Sequence, residues 1–513
     1  MRTVPGPTDH VVVVGAGLAG LATALHLLGA GRRVTVLERE AHPGGRAGRL
    51  DSGGYLMDTG PTVLTMPELL AEALDAVGET PADRLELVRL DPAYRARFAD
   101  GSVIDVHTDA EAMEHEVRAA AGAAEAQGYR RLRDWLTRLY HAEMGRFIGG
   151  NFDSPLDLVG SPGAVRDLAR LAALGGFGRL GPQIGRFLRD ERLQRIFSFQ
   201  SLYAGVGPQR ALAAYAVIAY MDTIAGVYFP RGGMRAVPQA LADAAIAAGA
   251  EVRYSTTVTA TERVAGRVTA VHTATGERVG ADAVVLTPDL PVVHRLLGRA
   301  PRRPVPLRWS PSAVVLHAGV RPPRGGWPQL AHHTISFGAA WERTFDEIIR
   351  TGRLMSDPSL LITRPTATDP SLAPEGRELL FVLAPCPNLH TAPLQWDTVG
   401  PAYRDELVAL LERRGLPGLG EAIEVEHLVT PADWADQGLA AGTPFSAAHT
   451  FAQTGPFRPA NMPRELSNVA LAGCGTTPGV GVPTVLLSGK LAAQRITGAG
   501  TRRCVIVPEV RHG

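Results

Sequence analysis

The chain has 513 residues, more than a single hydrophobic core supports, so two or three subdomains are expected. An apolar content of 45% predicts a globular protein, and 52 lysine and arginine residues nearly balance 51 aspartate and glutamate residues. This balance gives no general attraction for nucleic acid, so nucleic-acid binding is disfavoured.

Cysteine usage and the apolar stretches indicate the compartment. Cys386, Cys474 and Cys504 are few and far apart, which argues against a disulfide framework and fits free thiols in a reducing cytoplasm. The N-terminus, MRTVPGPTDH, has no apolar stretch like that of a signal peptide, so no export is expected. The longest apolar stretch, near residues 211–221, is shorter than the ~20 residues that a bilayer-spanning helix needs. No spanning helix is predicted, and attachment to a membrane surface remains open.

The first predicted element is the strand, turn and helix of VVVVGAGLAG, residues 11–20. Gly15, Gly17 and Gly20 follow the spacing of a dinucleotide-binding turn, and Glu38 closes a second apolar strand eighteen residues after Gly20. Glycine permits the tight turn and close approach to pyrophosphate, the helix N-terminus faces the phosphates, and the carboxylate accepts from a ribose hydroxyl. An adenine dinucleotide is therefore the expected cofactor.

The segment PGGRAGR, residues 43–49, distinguishes between dinucleotides. It brings the doublet Gly44 and Gly45, and then Arg46, almost directly after the acidic residue. A nicotinamide enzyme has no need of such a segment here, whereas FAD is longer and must be held along its ribityl chain. The pattern favours FAD over NAD. An ordinary turn with a solvated arginine is the alternative, and it leaves the C-terminal motif unexplained.

A mostly helical insertion is predicted from residue 67 to about residue 225, because apolar residues recur there every three or four positions. Within it, residues 166–195 hold seven arginines against three acids, interleaved with Leu, Ile and Phe. Such a segment can lie on an anionic bilayer. A soluble surface helix with an ordinary core-facing stripe is the alternative.

Residues 227–289 alternate helix and strand, and the two-residue turn Ala265–Gly266 between β-rich runs predicts a hairpin. Residues 301–460 mix strands, among them SAVVLHAGV (312–320), with the helical pattern at 398–415 and resemble an α+β substrate domain. The predicted domains are therefore a discontinuous FAD-binding domain at 1–65, 226–300 and 461–513, a helical insertion at 66–225 that could face a membrane or act as a lid, and a substrate domain at 301–460.

Near the C-terminus, AGCGTTPGVGVPTV, residues 472–485, is a glycine-rich turn running into a helix, with Pro483 suited to the first helical turn. A helix N-terminus aimed at the flavin pyrimidine would stabilise the negative charge of reduced flavin. His332 and His333 are adjacent, so in a strand they face opposite sides and cannot easily chelate one metal. No metal site is predicted.

Taken with their order and spacing, the motifs make the chain recognisable. GxGxxG, Glu38, PGGRAG and DTGPTV are followed by YFPRGGM (228–234), QLAHHTISFG (329–338), PSLAPEG (370–376) and AGCGTTPGVGVP. Together they closely resemble the bacterial phytoene desaturases, FAD-dependent carotenoid desaturases within the amine-oxidase-like flavoprotein group. The resemblance covers nearly the whole chain. It implies an α/β fold with a discontinuous Rossmann-like FAD-binding domain, an α+β substrate domain and a helical membrane-associated insertion.

The resemblance also implies which positions hold FAD, with Val258 expected to touch the adenine through its backbone. The positions assigned to the cofactor are Gly15, Gly17, Leu18, Ala19, Gly20, Glu38, Arg39, Gly45, Arg46, Gly60, Pro61, Thr62, Val258, Gly473, Val480, Gly481 and Val482. Cys474 and Thr477 stand where the family commonly has alanine and histidine. Cys474 is interpreted as a small residue packed under the cofactor, and covalent flavin attachment or a redox thiol is the alternative.

The implied reaction is removal of hydrogen pairs from phytoene and partly desaturated carotenoids toward lycopene, with oxygen or a quinone reoxidising the flavin. A desaturase needs a base, and Asp157 in NFDSPLDLV is aligned with an acidic residue of the family; a capping role is the alternative. Because phytoene dissolves in membrane, the expected location is cytoplasmic and peripheral on the inner face of the cell membrane.

Other functions of the same scaffold remain open. Within the enzyme class these are a carotenoid isomerase, a saturase, or a desaturase of diapophytoene or hydroxylated carotenoids. From another class, the related fold serves as a flavin-free lipid-binding escort for prenylated small GTPases. The glycine motifs retained at both ends of the chain argue against the escort.

Overall fold

The computed structural model describes residues 1–301 and 305–498. Cys504, predicted to be a free thiol, and residues 499–513 of the predicted FAD-binding domain lie outside the described residues. Cys386 and Cys474 are free thiols.

The described residues form strands that are mostly three to nine residues long. They are β1 (His10–Val14), β2 (Arg33–Leu37), β3 (Arg49–Ser52), β4 (Tyr55–Asp58), β5 (Leu87–Arg89), β6 (Tyr94–Arg97), β7 (Val103–Val106), β8 (Tyr228–Pro230), β9 (Glu251–Arg253), β10 (Val258–Val264), β11 (Arg267–Thr273), β12 (Arg278–Gly280), β13 (Ala283–Leu286), β14 (Ser312–Val320), β15 (His333–Ser336), β16 (Leu360–Thr363), β17 (Glu378–Cys386), β18 (Ile423–Val429) and β19 (Val469–Leu471).

The α-helices are supplemented by short 3₁₀ and π turns. They are α1 (Leu18–Gly29), α2 (Pro67–Asp75), α3 (Ala110–Ala121), α4 (Ala123–Glu143), α5 (Pro162–Ala173), α6 (Leu180–Ile184), α7 (Glu191–Ile196), α8 (Ala216–Tyr220), α9 (Ala236–Ala247), α10 (Leu290–Leu296), α11 (Glu342–Asp346), α12 (Trp396–Arg413), α13 (Leu419–Ala422), α14 (Pro431–Asp436) and α15 (Val482–Thr497).

A parallel sheet gathers segments from both ends and the middle of the chain. In the described residues its order is β19-β13-β1-β2-β9, and every neighbouring pair is parallel. Helices α1, α9 and α15 pack together against it. Because the sheet is covered, β1 and β13 are nearly continuous runs of buried apolar residues rather than alternating ones. The predicted βαβ unit of β1, α1 and β2 is confirmed.

A larger mixed sheet has the order β18-β14-β17-β16-β15-β6-β7 within the described residues. Strands β6 and β7 come from residues 94–106, which the sequence analysis placed in the helical insertion, so that prediction is wrong for this stretch. Each strand has only four residues, and β6 is held by parallel pairing to β15, more than 230 residues later. Local periodicity carries no signal of so distant a partner.

Apart from the three-residue strand β5, the regular structure in the rest of the insertion is helical, but residues 166–195 do not form one helix. They are divided among α5, α6 and α7, and Gly175, Gly176 and Gly178 lie in the break between α5 and α6. Glycine is costly within a helix, which explains the interruption. The described residues contain no helix that is both long and apolar enough to cross a membrane.

The predicted hairpin is confirmed as β10 and β11. Its two turn residues, Ala265 and Gly266, have φ values of 47° and 76°, as a tight two-residue turn between twisted strands requires.

Candidate cofactor site

The turn between β1 and α1 can be built only with glycine. Gly15 has φ +105°, and a Cβ added there would lie 2.3 Å from Oγ1 of Thr287. A Cβ on Gly20 would lie 2.0 Å from the carbonyl oxygen of Gly15. Helix α1 follows Gly17 with no side-chain cap, which leaves the amides of its first turn, including those of Leu18 and Ala19, available for a phosphate.

Glu38 lies against the same turn and is only 5% exposed. Its Oε2 accepts a hydrogen bond from the Ala16 amide at 2.6 Å, and its Oε1 accepts from the Glu40 amide at 2.9 Å. The carboxylate is thereby oriented at the end of β2, where the sequence predicts a ribose. Arg39 is exposed, pairs with Glu40 at 2.9 Å and donates to the Gln437 carbonyl at 3.3 Å.

The second glycine segment packs directly on the first. The Gly44 amide donates to the Ala16 carbonyl at 2.9 Å. Gly45 has φ +56°, and a Cβ there would lie 3.1 Å from the Cα of Gly17. These backbones leave no room for side chains, so the residues form a narrow cradle whose walls are backbone amides and carbonyls.

Arg46 extends this cradle toward the C-terminal half of the chain. Its Nη2 lies 3.4 Å from Oδ2 of Asp289, and the same Oδ2 accepts a hydrogen bond from the Ala440 amide at 2.9 Å. A Cβ on Gly60 would lie 1.7 Å from the Arg46 carbonyl oxygen, so the DTGPTV segment also approaches at backbone distance.

The DTGPTV segment is anchored by carboxylates. Asp58 accepts from the amides of Met234 at 2.6 Å and Arg235 at 3.0 Å, which joins this segment to YFPRGGM. Burial raises the pKa of Asp58 to about 6. Asp369, next to PSLAPEG, accepts from the Gly232 amide at 2.7 Å. The motifs that carry the family resemblance therefore make contacts that hold the region around Gly60, Pro61 and Thr62 in place.

The C-terminal turn lies at the same edge of the sheet. Strands β1, β13 and β19 are parallel neighbours, so the turns after β1 and after β19 leave from their carboxyl ends. Thr287, after β13, touches both turns: a Cβ on Gly473 would lie 3.4 Å from its carbonyl oxygen. The prediction that the two ends of the chain meet is confirmed.

The turn after β19 is also rich in left-handed glycine, with φ +111° at Gly473 and +122° at Gly481. Helix α15 begins at Val482, directly after Val480 and Gly481, again without a side-chain cap, and Pro483 lies in its first turn as predicted. It packs so closely on α1 that a Cβ on Gly489 would lie 2.5 Å from the Ala19 carbonyl. The first turn of α1 thus packs against the middle of α15.

Two buried polar atoms in this region have no hydrogen-bond partner, Oγ1 of Thr477 and Nε2 of His449. Buried polar groups are rarely left unpaired in folded proteins. Both atoms are covered by protein, so the fit to a dinucleotide rests on the two glycine-rich turns, whose uncapped helix N-termini leave amides free for a pyrophosphate.

Val258 begins β10, is half-buried, and packs against the apolar cluster that includes Leu37. Two residues earlier, the Thr256 amide donates to the Glu38 carbonyl at 2.7 Å. Its neighbourhood is therefore that of Glu38. Its backbone contact with the adenine stays a prediction.

The structure gives Asp157 a local role. Its Oδ2 accepts from the amides of Asp153 at 2.6 Å and Ser154 at 3.0 Å, and it forms a capping box with Ser154 at the start of a 3₁₀ turn. The structure thus shows the capping alternative, and the assignment as base stays a prediction.

Arg458, which the sequence did not predict as a site residue, is 3% exposed and organises the C-terminal turn. Its guanidinium donates to the carbonyls of Cys474 at 2.7 Å, Thr476 at 2.9 Å and Ala447 at 3.2 Å. The only signal was a lone arginine in the apolar run PFRPANMP. Asp289 was missed for the same reason, since both act through distant backbone groups.

His332 and His333 bind different partners, as their alternation predicts. Nδ1 of His332 bonds Oγ1 of Thr368 at 2.7 Å, and Nδ1 of His333 bonds Oγ1 of Thr363 at 2.9 Å. Burial lowers the pKa of both imidazoles, that of His332 to about 3. No group of three or more metal-ligating side chains is found in residues 1–301 and 305–498.

Comparison with known proteins identifies the family. The family model described as flavin containing amine oxidoreductase matches residues 18–497. The chain belongs to this family. It is 71% identical over 500 residues to a phytoene dehydrogenase of Streptomyces griseus, covering 97% of each chain. It is 37% identical over 496 residues to a zeta-carotene-forming phytoene desaturase of Myxococcus xanthus, covering 95% of this chain and 93% of the relative.

A solved structure supports the fold of this chain. An oxidoreductase from Methanosarcina mazei superposes with a TM-score of 0.61 at 17% identity, covering 94% of this chain and 99% of its own. The cofactor is FAD, and the protein is an FAD-dependent oxidoreductase of the carotenoid desaturase group.

Proposed function

We propose that this flavoenzyme desaturates phytoene by successive dehydrogenations toward lycopene. The observation that carries the proposal is the 71% identity to a phytoene dehydrogenase over 97% of both chains. The family resemblance in the motifs agrees with it, because the segments that carry the resemblance meet around one cradle. The name of the Myxococcus relative gives zeta-carotene as its product, so the extent of desaturation is part of the proposal.

Bound FAD supplies the hydride acceptor, and the protein contributes position and exclusion of water. An aromatic layer of the required character adjoins Thr62. Oγ1 of Thr363 donates to that of Thr62 at 3.2 Å, and the ring of His333, which bonds Thr363, lies 5.6 Å from that of Tyr94. Phe199 continues the layer 5.9 Å from Tyr94. We assign the partly exposed end of this layer, at Phe199, to the hydrocarbon chain, because an aromatic face contacts hydrocarbon without losing a hydrogen bond.

Membrane attachment belongs to the same proposal, since the substrate must reach the flavin from a bilayer. Four of the eleven exposed large apolar side chains of the described residues lie within 22 positions: Leu156 (73%), Val159 (51%), Val165 (49%) and Phe177 (44%). Exposed arginines surround them in sequence. This combination favours an anionic surface, with the protein peripheral on the inner face of the cell membrane. Oxygen or a quinone is the proposed electron acceptor.

Expression in a phytoene-accumulating bacterium tests the substrate. We expect coloured carotenoids whose masses fall by two hydrogens per step, and the absorption spectrum counts the new double bonds. A Gly20→Val variant, whose side chain would enter the first turn, is the matched control and should leave phytoene unchanged.

The alternatives give different results in the same cells. If the protein is an isomerase, the absorption spectrum of the carotenoid changes and its mass does not. If it is a saturase, the mass of the carotenoid rises. Purified protein that is colourless and holds no flavin would favour the lipid-binding escort. Either of the first two outcomes contradicts the proposed reaction. So does unchanged phytoene in cells whose enzyme is fully loaded with FAD.

A further inference from the structure

Asp289 is a buried carboxylate between the N-terminal and C-terminal halves of the cofactor cradle, and its side chain is 1% exposed. Its Oδ2 lies 3.4 Å from Nη2 of Arg46 and accepts from the Ala440 amide at 2.9 Å. Its Oδ1 accepts from Oγ of Ser446 at 3.4 Å, and a Cβ on Gly475 would lie 3.5 Å from the same oxygen. A buried carboxylate is unfavourable without a paired cation, and Arg46 supplies that cation.

The Arg46 guanidinium, in contrast, faces open space. Protein encloses it on most sides, yet 27% of its side chain is exposed, so it lines a cleft and not a convex surface. Its second contact is a hydrogen bond to the sulfur of Cys474, which is also partly exposed. A guanidinium has five N–H donors, and these two contacts do not use all of them. A ligand in the cleft can therefore reach the rest.

The position of Arg46 indicates which part of the cofactor its guanidinium meets. Gly45, the residue before it, packs on Gly17, where α1 begins with amides free for a pyrophosphate. The pyrophosphate is the anionic group of oxidised FAD, and the planar fork of a guanidinium matches a pair of phosphate oxygens. Arg46 thus has both the location and the charge to bind it.

An arginine side chain has several rotatable bonds, so a guanidinium in an open cleft needs an anchor to keep one orientation. Fixing it before the ligand arrives lowers the entropy cost of binding. Asp289 anchors it at Nη2, an atom at the far end of the Arg46 side chain. The carboxylate is itself fixed, because the Ala440 amide and the Ser446 hydroxyl each bind one of its oxygens.

We propose that Asp289 is a positioning residue, which holds the Arg46 guanidinium with its remaining N–H groups toward the pyrophosphate of bound FAD. Its effect on the cofactor passes through Arg46. The inference rests on the FAD assignment and not on the carotenoid substrate, so it can fail while phytoene remains the substrate. Its test needs no substrate.

The test measures the rate of FAD release from holoenzyme, through the rise in flavin fluorescence after dilution. Arg46→Met removes the cation and should release FAD roughly ten- to a hundredfold faster, as the loss of hydrogen bonds to a charged group predicts. Asp289→Asn keeps the size of the side chain and an acceptor for the Ala440 amide, but leaves Arg46 without its anchor. It should release FAD roughly three- to thirtyfold faster.

A double variant, Arg46→Met with Asp289→Asn, separates positioning from a merely structural role. With no guanidinium to hold, Asp289→Asn should add no further increase in the release rate. Ser446→Ala is the matched control, because it removes another contact of the same carboxylate and should release FAD at the wild-type rate. The ³¹P NMR signals of the bound pyrophosphate should move in Asp289→Asn and stay unchanged in Ser446→Ala.

An equal increase in release rate from Asp289→Asn with and without Arg46 would overturn the inference, since Asp289 would then act through packing or Ala440. Slower release, wild-type release or unchanged ³¹P signals in Asp289→Asn would each overturn it, as would a Ser446→Ala protein that behaves like Asp289→Asn. If Arg46→Met retains no flavin, Arg46→Gln replaces it in the double variant, because glutamine is uncharged but still donates hydrogen bonds.

Discussion

Asp157 illustrates how one carboxylate supports two interpretations until its neighbours are known. Both of its short contacts are backbone amides, which is the environment of a helix cap. We expect Asp157→Ala to lower the free energy of unfolding by about 1 kcal/mol and to leave desaturation within a few-fold of wild type. A general base would instead contribute 10²- to 10⁴-fold. Single-turnover rates, with FAD content and thermal unfolding measured on the same preparations, separate the two roles.

Asp222 is expected to make the folding stability of the protein depend on pH. It is 3% exposed, its Oδ2 has no partner, and burial raises its pKa to about 7 from 3.8. Between those values the folded state binds the proton more tightly than the unfolded state, so this group destabilises the fold progressively as pH rises from about 4 to about 7.

Asp222→Asn should therefore raise the free energy of unfolding, measured with urea at pH 8, by as much as several kcal/mol, because one pKa unit corresponds to about 1.4 kcal/mol. At pH 4 the two proteins should differ little. Asn in place of the exposed Asp75 is the control. Equal stabilisation by Asp222→Asn at both pH values would show that packing, and not charge, is the cause.

For single residues, the sequence predicts those whose partners lie near them in the chain. Gly15, Gly17 and Glu38 are recognisable because a tight turn and the strand end after it fix their chemistry within one βαβ unit. Asp289 and Arg458 are not, since their partners are reached only through tertiary folding: Arg458 contacts carbonyls sixteen and eighteen positions later, and no spacing rule predicts that contact.

Among the elements, the strand-turn-helix at the N-terminus is the most constrained. We expect Gly20→Ala to lose most bound FAD and to lower the melting temperature, because its Cβ would lie 2.0 Å from the Gly15 carbonyl and the turn must move. Gly145→Ala is the matched control, since a Cβ there meets nothing within 4 Å. The flavin-to-protein absorbance ratio is the measurement, and a fully loaded Gly20→Ala protein would contradict the geometry of the cradle.

Element length explains which predictions succeed. The nine residues predicted as a strand from SAVVLHAGV are β14, and the helical pattern at 398–415 lies within two residues of α12. Both are long enough to show their periodicity. Strands β6 and β7 have four residues each, and such short runs do not distinguish a strand from part of a helix.

On the scale of the whole molecule, the chain passes between its two large sheets several times. The parallel sheet takes strands from residues 10–37, 251–286 and 469–471, and the mixed sheet takes the segments between them. Motifs far apart in sequence are therefore neighbours in space, which is why the order of motifs indicates a family and each motif alone does not. The predicted domain boundaries stay predictions, although residues 94–106 join the mixed sheet.

The proposed membrane-facing surface gives the last prediction. Its charge is supplied by Arg179, Arg186 and Arg189, which are all exposed. Each basic residue near an anionic surface contributes about 1 kcal/mol, so reversing all three to glutamate should weaken partition to phosphatidylserine vesicles by at least roughly a hundredfold. Partition is measured by sedimentation with vesicles at low and high salt, because the electrostatic part weakens with ionic strength.

Two further variants separate this surface from net charge alone. Reversal of the exposed Arg324, Arg353 and Arg413 changes the total charge equally but lies in the segment that forms the mixed sheet, and it should leave partition nearly unchanged. Serine in place of Leu156 and Phe177 should weaken partition even at high salt, because apolar area and not charge is lost. If both arginine triples act alike, the attraction is a property of the whole molecule. If the serine variant binds as the wild type does, residues 156–177 do not enter the bilayer, and the hydrocarbon reaches the flavin by another face.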